Sequence, residues 1–229
     1  MATTIEDALL SRRSCRAFLP DPVPRTELER LLTLAARSAS NSNSQPWHVH
    51  VLTGAAKHGL TTALLHAHDT AGRVPTREYD YQPSPDDWPE PFHSRRRRFG
   101  EGLYKETLGI AHDDSTGRLD HHRRNYGFFG APVGIILTVS RRPLEGALID
   151  AGLFLQALML AARGAGLDTC AQASFIDFYP VLREKLPIPK DHLIVCGLAL
   201  GYADDDHRLN QQRTPREPVG AFTTFYDGD

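Results

Sequence analysis

Arg12-Arg13-Ser14-Cys15-Arg16-Ala17-Phe18 and Ser40-Asn41-Ser42-Asn43-Ser44-Gln45-Pro46-Trp47 carry more information than any other stretches of this chain. The first sets three guanidiniums and a hydroxyl within five residues. Fixed positive charge in a planar fork is what a phosphate needs. The second is a run of amides and hydroxyls, almost without apolar side chains, stopped by Pro46 and Trp47. It offers the neutral donors and acceptors that a polyol chain and a heteroaromatic edge need. Together they describe a nucleotide-type cofactor site built without a glycine-rich loop, and no G-x-G-x-x-G follows a predicted strand.

The composition bounds the rest. A length of 229 residues fits one domain with a substantial core. The net charge of −2 gives no reason to expect nucleic acid or an anionic membrane as partner. Cys15, Cys170 and Cys196 are odd in number and far apart, without metal-ligand spacing, which predicts a reduced cytoplasmic compartment and no bound metal. Met1 to Asp7 lacks the basic and apolar regions of a signal peptide. Leu148 to Leu167 is the most apolar stretch, but Asp150, Gln156 and Arg163 within it predict a buried helix and not a membrane span.

Local signals predict a helix over Thr4–Ser11, capped by Thr4, and a second opened by a Thr26/Glu29 capping box with Leu28, Leu31, Leu32 and Ala35 on one face. Trp47–Val51 alternates as a half-buried strand, and a helix over 55–68 follows. Five prolines in 69–92 predict a long loop, the start of a lid or variable insertion at about 69–122. Charged surface helices are expected over 95–109 and 115–126, with His121-His122 on the surface. Then come a buried strand over 132–140, a core helix over 144–165, a short strand over 169–175, a helix over 178–186 and a buried strand over 193–200. The polar tail from Asp204 onward needs something to pack against, and a partner subunit is one candidate.

The two opening segments resemble the FMN-dependent nitroreductase family, and its nitrobenzoate-reductase-like branch in particular. The resemblance continues through Phe128-Phe129-Gly130-Ala131-Pro132-Val133, Asp150-Ala151-Gly152, Gly166-Leu167-Asp168-Thr169-Cys170, Gly197-Leu198-Ala199-Leu200-Gly201-Tyr202 and Arg213-Thr214-Pro215-Arg216-Glu217-Pro218. It is poor over about 60–122. It implies an α+β, three-layer sandwich with a mixed central sheet flanked by helices, built as an intertwined homodimer with FMN at the interface.

The resemblance also assigns residues. Arg12 is expected at the flavin phosphate, with Ser14 beside it for phosphate or ribityl oxygens, and Arg16, with Arg13 second, at the N1/O2 edge, where positive charge stabilises the reduced ring. Ala39, Ser40, Asn41 and Asn43 are expected to reach the flavin from the opposite subunit, Ala39 by backbone, since the family usually has Pro there. Gln172, Ala173 and Ser174 should lie over the ring, a backbone N–H of Ala173 or Ser174 donating to N5. Arg216, with Arg213 second, should close on the phosphate, and Arg124 and Asn125 lie near the ribityl chain. Trp88, Phe92, Phe99 and Tyr104 either line the acceptor pocket or pack the lid. Arg95 to Arg98 could take an NADPH 2′-phosphate, against the plainer expectation of a solvated helix face.

The implied activity is that of an NAD(P)H-dependent FMN oxidoreductase. NADH or NADPH supplies hydride to flavin N5, and a nitroaromatic or other electron-poor aromatic is reduced, with no catalytic side chain beyond the flavin. The alternatives are the same fold used as a dehydrogenase, reductive dehalogenase or flavin-processing enzyme, or a non-catalytic flavin-binding module.

Overall fold

The computed structural model describes residues 3–70, 77–142 and 144–226; the beginning of the expected lid, 71–76, lies outside them. Helix α1 (Ile5–Ser11) opens on a reciprocal capping box: the Thr4 hydroxyl accepts the Asp7 N–H at 3.0 Å, and the Asp7 carboxylate accepts the Thr4 N–H at 3.1 Å. Helix α2 (Arg25–Ala35) buries Leu28, Leu31 and Ala35 as expected. Its expected capping box does not form. The preceding prolines fix the entry so that Pro24 takes the cap position and Thr26 is drawn into the first turn.

Strands β1 (Trp47–Leu52), β2 (Val133–Ser140), β3 (Asp168–Gln172) and β4 (His192–Gly201) form one sheet in the order β1-β2-β4-β3, antiparallel at every step. The parallel component of the expected mixed sheet is a bridge between Ser14 and Thr169. On one face, Val133, Ile135, Leu137 and Val139 pack with α2 and the long α6 (Leu144–Gly164). On the other, Leu52 and Ile136 pack with α3 (Gly54–Thr70) and α7 (Tyr179–Lys185). Leu137 pairs with Cys196 and Thr138 with Ile194, so Val195 is a bulge. The extra residue turns Leu193, Cys196, Leu198 and Leu200 to the α6 face, which is why the apolar run of β4 does not alternate simply in sequence.

Helix α6 is long and apolar enough to cross a membrane. In the fold, Ala147, Ala151, Phe154, Leu158 and Ala162 bury one side of it against the sheet and α2. The strand expected over 169–175 stops at Gln172, where Ala173–Asp177 turns as a 3-10 helix. That turn lays Phe175 over Gly197, where a Cβ would come within 2.3 Å of the ring. Helix α4 (Phe92–Gly100) continues as a π-helical segment, Glu101–Leu108, and α5 (Ser115–Arg123) leads into a 3-10 stretch, Arg124–Gly130. There Phe128 and Phe129 are buried, with φ of 53° and 52°, a left-handed backbone that bulky residues rarely adopt. Gly134 makes it possible: a Cβ there would lie 2.5 Å from the Phe128 ring. After β4 the chain forms α8 (Arg208–Gln211) and an arm that leaves Phe222, Phe225 and Tyr226 exposed.

Candidate cofactor site

The segment Arg12–Phe18 is extended and runs beside β3. The Cys15 N–H donates to the Thr169 carbonyl at 3.0 Å, and downstream the Leu19 N–H donates to Tyr202 at 2.9 Å. Asn210, buried in α8, fastens the middle. Its Oδ1 accepts the Arg16 N–H at 2.8 Å, and its Nδ2 donates to the carbonyls of Ala17 at 2.7 Å and Asp204 at 2.8 Å. The Arg213 guanidinium donates to the Asn210 carbonyl at 2.7 Å, and that of Arg124 to the Arg16 carbonyl at 3.3 Å. Gln172 donates through Nε2 to the Asn125 carbonyl at 2.8 Å. The fold thus gathers Arg12–Arg16, Arg124–Asn125, Gln172–Ser174 and Asn210–Arg213, four separate stretches of sequence, around β3.

The field there is positive. The His121 imidazole is held down to about 4 by burial first, and then by the guanidiniums of Arg124 and Arg16. His121 is not on the surface as expected; it is buried between Tyr104 and Phe129, with ring centroids 5.8 and 6.2 Å away. Arg13 is already paired with Asp205. The guanidinium of half-buried Arg12 makes no hydrogen bond or ion pair among the described residues, while its backbone N–H donates to the Ala8 carbonyl at 3.0 Å. Asp168 pairs with Arg163 at 2.7 Å, yet burial pushes its carboxyl above the usual value. Burial likewise raises the thiols of Cys15, to about 12, and Cys170, so neither is a ready thiolate. Gln172 Oε1, Ser174 Oγ and Arg13 Nε are buried without a partner. Orphaned polar atoms of this kind beside free cationic charge suit a ligand that carries both an anionic and a hydrogen-bonding part.

The Ser/Asn turn lies elsewhere. Asn41–Asn43 is a short 3-10 turn, with Ser42, Asn43 and Gln45 at φ of 51°, 56° and 47°. Buried Asp150 of α6 holds it by accepting the Asn41 N–H, and Ser40 Oγ accepts the Gln45 N–H at 3.1 Å. Its hydrogen bonds among the described residues do not reach the arginines, and Ala39, Asn41 and Asn43 stay exposed. Arg216 also stands apart, exposed and hydrogen-bonded to Thr214 Oγ1 at 2.8 Å. Ala173 is exposed beside buried Gln172 and Ser174. In α4, Arg95 pairs with Glu217 at 3.2 Å and Arg97 with Glu101 at 3.7 Å, as a solvated face would, while the Arg16 guanidinium lies 5.6 Å from the Phe99 ring centroid. A cavity of about 840 Å³ beside β1, lined by Leu28, Leu32, Val49 and Val51, contains none of the candidate residues. Asn210 and the anchoring role of Asp150 have no local sequence signature. Both depend on contacts between segments more than a hundred residues apart.

The chain is similar to known proteins along most of its length. Residues 9–202 match the model of the nitroreductase family. A 4-nitrobenzoate reductase of Nocardioides sp. (strain LMS-CY) is 52% identical over 225 residues, covering 97% of this chain and 91% of the relative. The crystal structure of an FMN- and NADPH-dependent nitroreductase from Sphigopyxis sp. strain HMH superimposes with a TM-score of 0.93 at 35% identity, over 98% of this chain and 100% of that one. That of an FMN-dependent nitroreductase from Mycobacterium smegmatis, in complex with NADPH, gives 0.90 at 33% identity over 97% of each. From its basic segment to its last strand, this chain belongs to the nitroreductase family.

Proposed function

We propose that this protein is a single-domain, FMN-dependent NAD(P)H oxidoreductase that reduces nitroaromatic acceptors, acting as a homodimer in the cytoplasm. The observation that carries the cofactor is the pairing of unspent cationic charge with buried, unpartnered polar atoms around β3. Arg12 would take the phosphate together with Ser14, and Arg213 and the exposed guanidinium of Arg216 would add to it from the C-terminal side. Arg16 would face the pyrimidine edge of the ring, with Gln172 Oε1 and Ser174 Oγ supplying an acceptor and a hydroxyl. Bound FMN supplies the redox chemistry, taking hydride from NADH or NADPH and passing electron pairs to the acceptor.

The chain's own contribution is binding and electrostatics. Fixed guanidiniums favour the negative charge that a reduced flavin carries, and they need no reorganisation to do so. Burial raises the Cys15 and Cys170 thiols and lowers the His121 imidazole, so none of these three is a ready thiolate or general base at neutral pH, in keeping with chemistry centred on the cofactor.

The homodimer rests on unpartnered apolar surface. Ile5 (78% exposed), Leu9 and Leu10 of α1 lie on the molecule with Ile149 (68%) and Leu153 of α6, the helix against which α1 packs. Exposed apolar groups so grouped mark an association surface. A second copy covering α6 would approach the Ser/Asn turn that Asp150 anchors, and would bring that turn to the partner's flavin. The test is the visible spectrum of the purified protein under nitrogen. A yellow protein bleached by NADH or NADPH and recoloured by 4-nitrobenzoate is expected. A colourless protein that takes up no added FMN would sink the proposal.

A further inference from the structure

Asn210 joins the basic segment to the C-terminal arm through a buried side chain. Its three hydrogen bonds, to the Arg16 N–H and to the Ala17 and Asp204 carbonyls, are all 2.7–2.8 Å long. The partners fix the amide's orientation, since an N–H only donates and carbonyls only accept. No other side chain of this size serves all three groups. A carboxylate could not donate to the carbonyls, and an apolar residue would leave the Arg16 N–H unpaired in the interior.

The need for such a joint is electrostatic. Arg12, Arg16, Arg124 and Arg213 share one region with the Arg13–Asp205 pair and Asp168, and the guanidiniums repel one another wherever these carboxylates do not offset them. The segment carrying two of them is extended and has no helix of its own to hold it. Asn210 grips the Arg16–Ala17 peptide with its side chain, while its own carbonyl receives the Arg213 guanidinium at 2.7 Å. The Arg16 carbonyl is taken in turn by Arg124. A neutral residue thus holds the Arg16 backbone and receives the Arg213 guanidinium without cancelling any of their charge.

We propose that Asn210 is a positioning residue for the flavin, presenting Arg16 and Arg213 as one preorganised cationic site; this rests on the FMN assignment above. The test compares wild type with Asn210→Ala, measuring FMN affinity of the apoprotein, the midpoint potential of the bound flavin, and the melting temperature. Asn210→Ser, which leaves a smaller void and keeps a hydroxyl, takes its place if the alanine variant does not fold. Loss of the joint should weaken FMN binding about tenfold. It should also shift the midpoint potential to more negative values, because a displaced Arg16 favours the reduced ring less. Wild-type FMN affinity and potential in the folded variant, whether or not the melting temperature falls, would overturn the assignment while leaving the cofactor reading intact. A wild-type protein that binds no FMN would remove both.

Discussion

Asp150 accepts the Asn41 N–H through both carboxylate oxygens, each at 3.2 Å, and so ties the N-terminal third of α6 to the turn at Ser40–Gln45. The bond explains how three non-glycine residues hold positive φ in so short a stretch. Left-handed conformations cost of order 1–3 kcal/mol each and persist only where the surroundings impose them. A buried carboxylate aimed at a backbone N–H is such an imposition.

Replacing Asp150 by alanine should therefore release the turn and cost about 1–3 kcal/mol of stability. If the turn also serves the partner's flavin, dimer formation and FMN uptake should decline together. Denaturant titration and sedimentation of the variant check both; unchanged stability would mean that the turn holds its own shape.

Arg12 and Arg216 separate two kinds of phosphate contact. Arg12 sits within the assembled cluster, whereas Arg216 is exposed and, among the described residues, hydrogen-bonded only to its neighbours Thr214 and Pro215. Both alanine variants should fold normally. FMN affinity should fall about tenfold for Arg12→Ala, the usual cost of one charge-assisted contact, and less for Arg216→Ala. Equal flavin occupancy in Arg216→Ala and wild type would exclude Arg216 from the site.

Gly197 faces Phe175 so closely that a Cβ would lie 2.3 Å from its ring, with rigid strand backbone on one side and buried aromatic packing on the other. Gly197→Ala should destabilise the fold by roughly 1–3 kcal/mol. The strain falls on the turn at Ala173–Asp177, so FMN binding should suffer as well. A variant that melts like wild type would show that the turn can move aside freely.

His121 gives the protein an acid-sensitive term. In the folded chain its imidazole stays neutral down to about 4, while in the unfolded chain it takes a proton as pH falls through about 6.5. The unfolded state then binds more protons between those values, so stability is lost progressively as pH drops from about 6.5 to 4. His121→Phe should flatten that part of the profile. Parallel melting curves for the two proteins across this range would rule the effect out.

Much of the architecture was legible in short-range patterns. The Thr4 cap, the buried face of α2, the alternation of β1, the apolar β2 and the length of α6 follow from side-chain periodicity and capping chemistry. These depend on neighbours within a turn or a strand, and such neighbours are visible in the order of residues. The basic segment and the Ser/Asn turn were legible for the same reason, as local concentrations of one kind of chemistry.

Other features were settled only by the tertiary structure. The end of β3 at Gln172, the bulge at Val195, the left-handed Phe128 and Phe129, and the burial of His121 each depend on what packs across from them. So do the grip of Asn210 on Arg16 and of Asp150 on Asn41. Sequence alone determined which groups this chain can offer a ligand. The fold decided which of them meet, because close packing brings distant segments to one point and leaves each polar group there only a few partners.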